Sequence, residues 1–416
     1  MSCHSRSQGW LRRARLTLGF AGALGAAAPA SAATFYVRAG GNNAQNGRSA
    51  ATALATVGAA ADRIGGGDTV IVGPGRYAEG NITPRGNGRR GELVHFVADR
   101  SGQRTGDPAG DVMVDATGFD VGFRISSRPY VVVDGFTVAN ANAEGISVKS
   151  SSDGSVVANC IVVSNGARGV WVRDSRGVVV FNNLIYANRS TGIDFGGENG
   201  GSPDGTAVNN TVFGNGLDGI RVEGLSPSPR ATVVQNVIAQ NLGSGINLKE
   251  RSVDGFVGQW NLNIDGYGSE ATKSAFDFSG APLLVAPSGG DLQLGVPFQG
   301  DDDFRLRQLA AGQPEQSSAV DGSPMSSKAL QLSGGSTNTA GQTDQGRADM
   351  GFHYGNVQDF ASGRKSVKQR VRALRKRGAK CERLGRRSGG GAPACVGTSL
   401  QKVRQLCGPL AEQICS

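Results

Sequence analysis

From about residue 145 to residue 263 the chain alternates short apolar runs with Gly, Asn, Ser and Asp at a nearly constant interval. Five segments of one kind recur: Gly145-Ile-Ser-Val-Lys, Gly169-Val-Trp-Val-Arg, Gly192-Ile-Asp-Phe-Gly, Gly219-Ile-Arg-Val-Glu and Gly245-Ile-Asn-Leu-Lys. Their glycines lie 24, 23, 27 and 26 residues apart. Within each segment apolar and polar positions alternate, the period of a strand with one buried face. Val178-Val-Val-Phe, Leu184-Ile-Tyr and Ile193-Asp-Phe supply three such strands within one interval. No stretch here keeps a 3.6-residue period, and the consensus of a leucine-rich repeat is missing. Roughly 25 residues holding three short strands and three turns make one coil of a right-handed, single-stranded parallel β-helix, so the expected fold class is an all-β solenoid.

Asparagines recur in two further registers, at Asn159, Asn183, Asn210, Asn236 and Asn261, and at Asn165, Asn188, Asn215 and Asn241. One Asn per coil at the same bend lets each side-chain amide bond to the next, which satisfies polar groups that a tight buried turn would otherwise strand. Both registers are therefore expected to form ladders.

The ends differ from the middle. Arg12, Arg13 and Arg15 precede an apolar run from Leu16 to Ala28, and Ala30-Ser31-Ala32 has the small residues of a cleavage site. Residues 1–32 are thus expected to be a signal peptide, cleaved after Ala32, and the mature protein to be secreted. No other run approaches the ~20 apolar residues of a membrane span. Residues 33–110 are expected to form an N-terminal cap, with a short helix near Leu54 to Ile64, and the first coils. The coils proper are expected over 111–280 and a closing segment over 281–360. The basic tail, 361–416, carries 14 Lys/Arg against Glu382 and Glu412, whereas residues 34–360 carry 25 basic and 32 acidic residues. The chain is an acidic solenoid with a basic appendage. About Arg364 to Arg383 the tail is expected to be a basic helix. Cys381, Cys395, Cys407 and Cys415 follow or end it, and in an exported chain two disulfides are expected, with the pairing open. Such a tail suits contact with an acidic polymer or surface. Nucleic acid is not expected as a partner, and a monomer is.

The order Thr34-Phe-Tyr-Val, an Asn/Gly loop, an Ala-rich helix, Gly67-Asp-Thr-Val and Pro74-Gly-Arg-Tyr resembles the N-terminal segment of secreted bacterial parallel β-helix proteins, the pectate-lyase-like superfamily. Asp134-Gly-Phe and the coils continue the likeness. Asp303-Phe-Arg-Leu, Ala319-Val-Asp-Gly and Asp344-Gln-Gly-Arg-Ala-Asp-Met-Gly-Phe-His-Tyr resemble their closing segment. The resemblance spans roughly residues 34 to 355 and is carried by structural elements. It implies a polysaccharide bound on the sheet built from the Gly-Ile strands, and uronan β-elimination as one activity.

If the apolar residues of those strands point inward, two columns point out. The first reads Ser147, Trp171, Asp194, Arg221, Asn247, and the second Lys149, Arg173, Gly196, Glu223, Lys249. Trp171 offers a ring for a sugar to stack on, and Arg173, Lys149 and Asn247 offer polar contacts to it. Three readings compete for the charged patch. In a lyase, Lys249 or Arg221 is the base and Asp194, Glu198 and Asp218 hold Ca²⁺, although calcium wants about six to eight oxygens and no compact acidic cluster stands in the sequence. In an inverting hydrolase, Asp194 and Glu223, about 8 Å apart along the strand grid, are the acid and base, within the ~6.5–9.5 Å that such pairs span. In a non-catalytic glycan-binding or spacer protein, Asp194 pairs with Arg221 and Glu223 with Lys249 as a ladder of opposite charges.

Overall fold

The computed structural model describes residues 32–196, 201–223, 228–249, 252, 254–274, 277–278, 280–295, 301–355 and 376. The expected signal peptide, Glu198 and the four tail cysteines lie outside these residues. The described chain is a right-handed parallel β-helix built on three long sheets. The first has nine strands, from Thr34–Val37 to Val257–Gln259, and the second eight, from Gly75–Tyr77 to Leu262–Asn263. The third has six: Phe123–Ser126, Ile146–Lys149, Val170–Arg173, Ile193–Gly196, Ile220–Val222 and Ile246–Leu248. One coil runs Val156–Ala158, Ile161–Val163, Val170–Arg173, a strand in each sheet. Every strand pairs in parallel with its equivalent one coil on.

The alternation read in the sequence fills the interior. Val157, Val162, Val170 and Val172 of that coil are fully buried, and their equivalents stack above and below them in one continuous core. Burying this many β-branched side chains is the main term that holds the coils together.

The corners explain the polar repeats. Between the first and second sheets the chain turns through a single left-handed residue: Asn159, Asn182, Asn209, Gln235 or Trp260, with φ between 51° and 60°. Asn tolerates that conformation better than most residues. The next residue points inward. In four coils it is Asn183, Asn210, Asn236 and Asn261, each side-chain oxygen accepting from the amide of the coil before it, with Asp277 ending the stack. The sequence reading put Asn159 in this ladder, and the structure corrects it. Asn159 is the left-handed corner residue, and Cys160 occupies the inward position. The error was one of register, since two adjacent asparagines, such as Asn182 and Asn183, do different work at the same bend.

The second ladder stands as read, with Asn165, Asn188, Asn215 and Asn241 stacked and Asp265 at its end. A third corner has its own column, which the sequence reading missed. The Ser152 N–H donates to the Ser175 Oγ at 3.1 Å, Ser202 to Ser228 at 2.8 Å and Ser228 to Ser252 at 3.1 Å.

At the N-terminal end the helix is shorter than expected, Val57–Ala61. Thr56 caps it, and Glu79 accepts the first two amides at 2.7 and 2.8 Å. Val57, Ala60 and Ala61 turn into the interior and cover the end of the core. His95 sits in a coil strand of the first sheet, Val94–Ala98, beside Asp134. The segment after residue 280 lies along the outer face of the second sheet. There Leu284, Phe304, Leu306, Met350 and Phe352 pack on Val163, Leu184, Tyr186, Phe213 and Val237. The His353 N–H fixes it to the Asn182 side-chain oxygen at 2.8 Å, and the Phe352 N–H to Thr211 Oγ1 at 2.9 Å. Among the described residues no helix is long and apolar enough to cross a membrane.

Candidate functional site

The third sheet is in register throughout, so its outward residues form straight columns. The first runs Arg124, Ser147, Trp171, Asp194, Arg221, Asn247. Arg124 adds a coil that the sequence reading did not count. The second runs Ser126, Lys149, Arg173, Gly196, and Glu223 and Lys249 continue it just past the ends of their strands. Outward does not mean exposed: Ser147 and Asp194 retain only 1% and 2% of their surface.

Asp194 is buried because two guanidinium groups close over it. Arg168 Nε and Arg221 Nη2 donate to the same carboxylate oxygen, Oδ2, at 2.6 and 2.8 Å. Arg221 also meets Glu223 Oε1 through Nη1 at 3.0 Å, and the other Glu223 oxygen accepts from Lys249 Nζ at 3.0 Å. Arg168 reaches back to Glu144 at 3.4 Å. Five coils are thereby laced by alternating charge. Arg168 was missing from the sequence-based set. It belongs to a column that the repeat does mark, the residue immediately before each conserved-spacing glycine: Glu144, Arg168, Thr191, Asp218, Ser244.

Electrostatics follow from this packing. Burial alone would lower the Arg221 pKa. Asp194 outweighs it, with help from Glu223 and Asp218, and holds the guanidinium above its ordinary value. Arg221 is therefore fixed as a cation, the opposite of what a proton-abstracting base requires. Lys249 is different, with 52% of its side chain exposed.

Trp171 is half-buried. The Arg168 guanidinium carbon lies 4.5 Å from its ring centroid and that of Arg173 5.3 Å, both within cation–π range. The ring is thus held in place by the same arginine that pairs with Asp194. Asn247 and Asp218 are also joined, since Asn247 Nδ2 donates to Asp218 Oδ2 at 3.1 Å while Asp218 Oδ1 accepts the Ser244 N–H at 3.0 Å. Lys149 pairs in register with Arg173.

These positions suit calcium poorly. Two guanidinium groups already occupy Asp194 Oδ2, Asp218 is committed to Ser244 and Asn247, and Glu198 lies outside the described residues. Among the described residues no three His, Cys, Asp or Glu side chains are grouped to hold a metal ion. An inverting acid/base pair is no better served. The Arg221 guanidinium bridges Asp194 and Glu223 and fills the space in which a nucleophilic water would have to lie.

On this face Ser147 Oγ, Thr191 Oγ1, Asp194 Oδ1 and Arg221 Nε are buried without a hydrogen-bond partner among the described residues. Gly196 leaves the second column without a side chain at this level, and the free Asp194 oxygen faces that gap, 3.3 Å from where a β-carbon on Gly196 would stand.

The family model described as right handed beta helix region matches residues 116–263. No curated protein matches the chain. Among solved structures the chain is similar to the pectate lyase Pel9A, at 17% identity and a TM-score of 0.43 over 61% of this chain and 82% of that one. It is similar to the GH136 lacto-N-biosidase of Eubacterium ramulus at 12% identity and a TM-score of 0.40, over 56% and 57% of the two chains. With the periplasmic alginate epimerase AlgG the figures are 18% and 0.35, over 51% and 52%. The chain thus spans little more than half the length of the last two. Identities this low bear on fold alone.

Proposed function

We propose that the protein is exported and binds a polysaccharide along its third sheet without cleaving it. One observation carries the reading. Every charged group that a lyase or hydrolase would need from Asp194, Arg221 and Glu223 is already bonded to another of them or to Arg168 or Lys249. Groups so neutralised build a rigid surface rather than a reaction centre. The surface suits a linear polymer, because its side chains repeat along one axis at the ~4.8 Å strand spacing. Arg124, Lys149 and Arg173 follow one another there on three successive strands. A row of cations beside the anchored Trp171 ring favours an acidic glycan, with the ring edge against sugar carbons and the cations against carboxylates.

The lyase reading is the alternative, supported by the exposure of Lys249. The experiment that separates them is calorimetric titration of the full chain with pectate, alginate and neutral glucans, followed by ultraviolet absorbance of the same mixtures with calcium and with chelator. Binding with flat absorbance supports a binding protein, and Trp171→Ala together with Arg173→Ala then weakens it. A rise from unsaturated product establishes a lyase, and Lys249→Ala becomes the first variant to assay. Failure to bind any of these glycans overturns the proposal.

A further inference from the structure

The polar atoms on either side of Trp171 are short of hydrogen bonds. Trp171 pairs in register with Ser147 on one neighbouring strand and with Asp194 on the other. Ser147 keeps 1% of its surface and Asp194 2%, yet Ser147 Oγ and Asp194 Oδ1 have no hydrogen-bond partner among the described residues. Arg221, next in the column, has an unpartnered Nε as well. Buried polar groups are rarely left so, and least of all charged ones. The other atoms of both charged groups are fully engaged. Asp194 Oδ2 accepts from Arg168 and Arg221, and the two terminal nitrogens of Arg221 reach Asp194 and Glu223. Asp194 is thus a carboxylate neutralised and held through one oxygen, with the other kept as a bare acceptor. Such an oxygen takes a donor, an O–H or N–H, and not a second carboxylate.

Gly196 shapes the space beside it. It stands two residues after Asp194 and in register with Arg173, in a column that otherwise carries Ser126, Lys149 and Arg173. Its φ lies outside the left-handed region, so the backbone does not demand glycine here. A β-carbon would stand 3.1 Å from the Glu223 carbonyl oxygen and 3.3 Å from Asp194 Oδ1, close contacts that small shifts relieve. What a methyl group would chiefly take is the room in front of that oxygen. The side chains that cover Asp194 lie at the surface, Arg168 with 26% and Arg221 with 14% of the side chain exposed.

We propose that this gap seats one free hydroxyl of a bound glycan, so that the third sheet takes an unesterified sugar beside Trp171 and rejects one whose hydroxyl there carries an acyl group. The inference rests on the reading of this sheet as a glycan-binding face, and it adds the group recognised and the residue that makes room for it. The hydroxyl enters between the surface arginines and donates to Asp194 Oδ1, leaving its oxygen to accept from Arg221 Nε. Ser147 Oγ, one strand to the other side of the ring, is completed by a further hydroxyl along the polymer. An ester removes the donor and sets an acyl group where Gly196 leaves room for an oxygen. A site built around a hydroxyl discriminates against a ligand that lacks it, because its own buried acceptor is then stranded.

The test is calorimetric titration of the full chain with pectate, alginate and a neutral glucan, each beside a copy O-acetylated on its hydroxyls, repeated with Gly196→Ala. The native chain is expected to bind the unmodified glycan at least about tenfold more tightly than its acetylated copy, as the loss of one hydrogen bond to a charged group implies. Gly196→Ala is expected to lose about tenfold for the unmodified glycan at a melting temperature close to the native one, and nothing further for the acetylated copy, since both changes remove the same contact. Equal affinity of the native chain for the two forms overturns the inference and leaves the binding face standing. So do losses that add, which would mean that the acetyl groups are excluded elsewhere on the sheet. Should Gly196→Ala fail to fold, the two forms of the glycan on the native chain decide alone. Binding of no unmodified glycan overturns both this inference and the reading beneath it.

Discussion

The Cys160 N–H donates to the side-chain oxygen of Asn183 at 2.9 Å, so a thiol occupies the place that the next four coils fill with asparagine. The ladder above it is fully bonded. Asn210 donates to Asn236 at 2.9 Å and to the Val180 carbonyl at 3.1 Å, and its oxygen accepts the Asn183 N–H at 2.9 Å and amide at 3.0 Å. Replacing Asn210 with Ala strands several buried polar groups at once, each worth ~1–3 kcal/mol. Denaturant unfolding is expected to show a loss of at least about 2 kcal/mol. Asn159→Gly is the contrasting variant. Its site needs a left-handed φ of 55°, which Gly supplies, but its half-buried side chain also donates to Asp134 Oδ1 at 2.7 Å and accepts from Asn182 Nδ2 at 2.9 Å, so stability should fall by about 1 kcal/mol, clearly less than at Asn210. Equal costs at the two positions would put Asn159 back in the ladder.

Cys160 itself should be chemically silent. It is fully buried, and burial, with Asp134 adding to it, pushes its thiol up to about 12. The thiolate is the reactive form. A maleimide is therefore expected to leave the peptide containing Cys160 unmodified in the native protein and to label it fully in denaturant, as read by mass spectrometry. Labelling of the native chain within minutes would mean that the corner opens far more readily than its packing implies.

The network around Asp194 makes a prediction that a purely catalytic role would not. Asp194→Asn removes the charge that Arg168 and Arg221 share, leaving two partly buried guanidinium groups without it. Removing one partner of a buried pair costs ~3–5 kcal/mol in general, and the retained Glu144 and Glu223 contacts should hold the loss here to about 2–3 kcal/mol. Thermal unfolding is expected to shift down accordingly, and chelator should move neither protein. Tryptophan fluorescence reports the same change locally, since Arg168 also holds the Trp171 ring. An unchanged melting temperature would mean that the carboxylate is kept for chemistry instead.

Most of the architecture was legible because a solenoid repeats its local physics. The 23- to 27-residue glycine spacing, the inward Ile and Val of each strand and the second asparagine register all recur often enough to be read without contacts. The exceptions share a cause. Asn159 and Cys160 were confused because both residues at that bend are polar or small, and spacing alone cannot distinguish a left-handed corner from the inward position after it. The serine ladder escaped notice because Ser is common in turns for other reasons. Arg168 was overlooked since it precedes the strand, and only its long side chain brings it over Asp194 and Trp171. The packing of residues 281–355 against the second sheet rests on contacts between segments far apart in sequence, such as Phe304 with Tyr186, which no periodicity announces.

That flank carries the clearest pH signature. Asp349 is buried beside Asp344 and His353. Burial first, and the Asp344 charge second, push its carboxyl up to about 6, against the bonds it accepts from Thr337 and the Asp321 N–H. The folded pKa thus exceeds the unfolded one of ~3.9, and the folded state binds the extra proton. This group's stabilising contribution is complete below pH ~4 and is lost as pH rises through about 6, a change on the order of 1–3 kcal/mol. Carboxylates held down by arginine, Asp107 beside Arg38 and Asp204 beside Arg230, have the opposite sign but act below that window. His353 and Arg347 also face the cluster, so the informative quantity is a difference. Chemical denaturation of the native chain and of Asp349→Asn between pH 4 and 7 should give curves that converge in slope at the ends and diverge between them, with the native chain losing more stability as pH rises. Parallel curves would mean that Asp349 titrates normally and that its neighbours, not its burial, set the protonation of the flank.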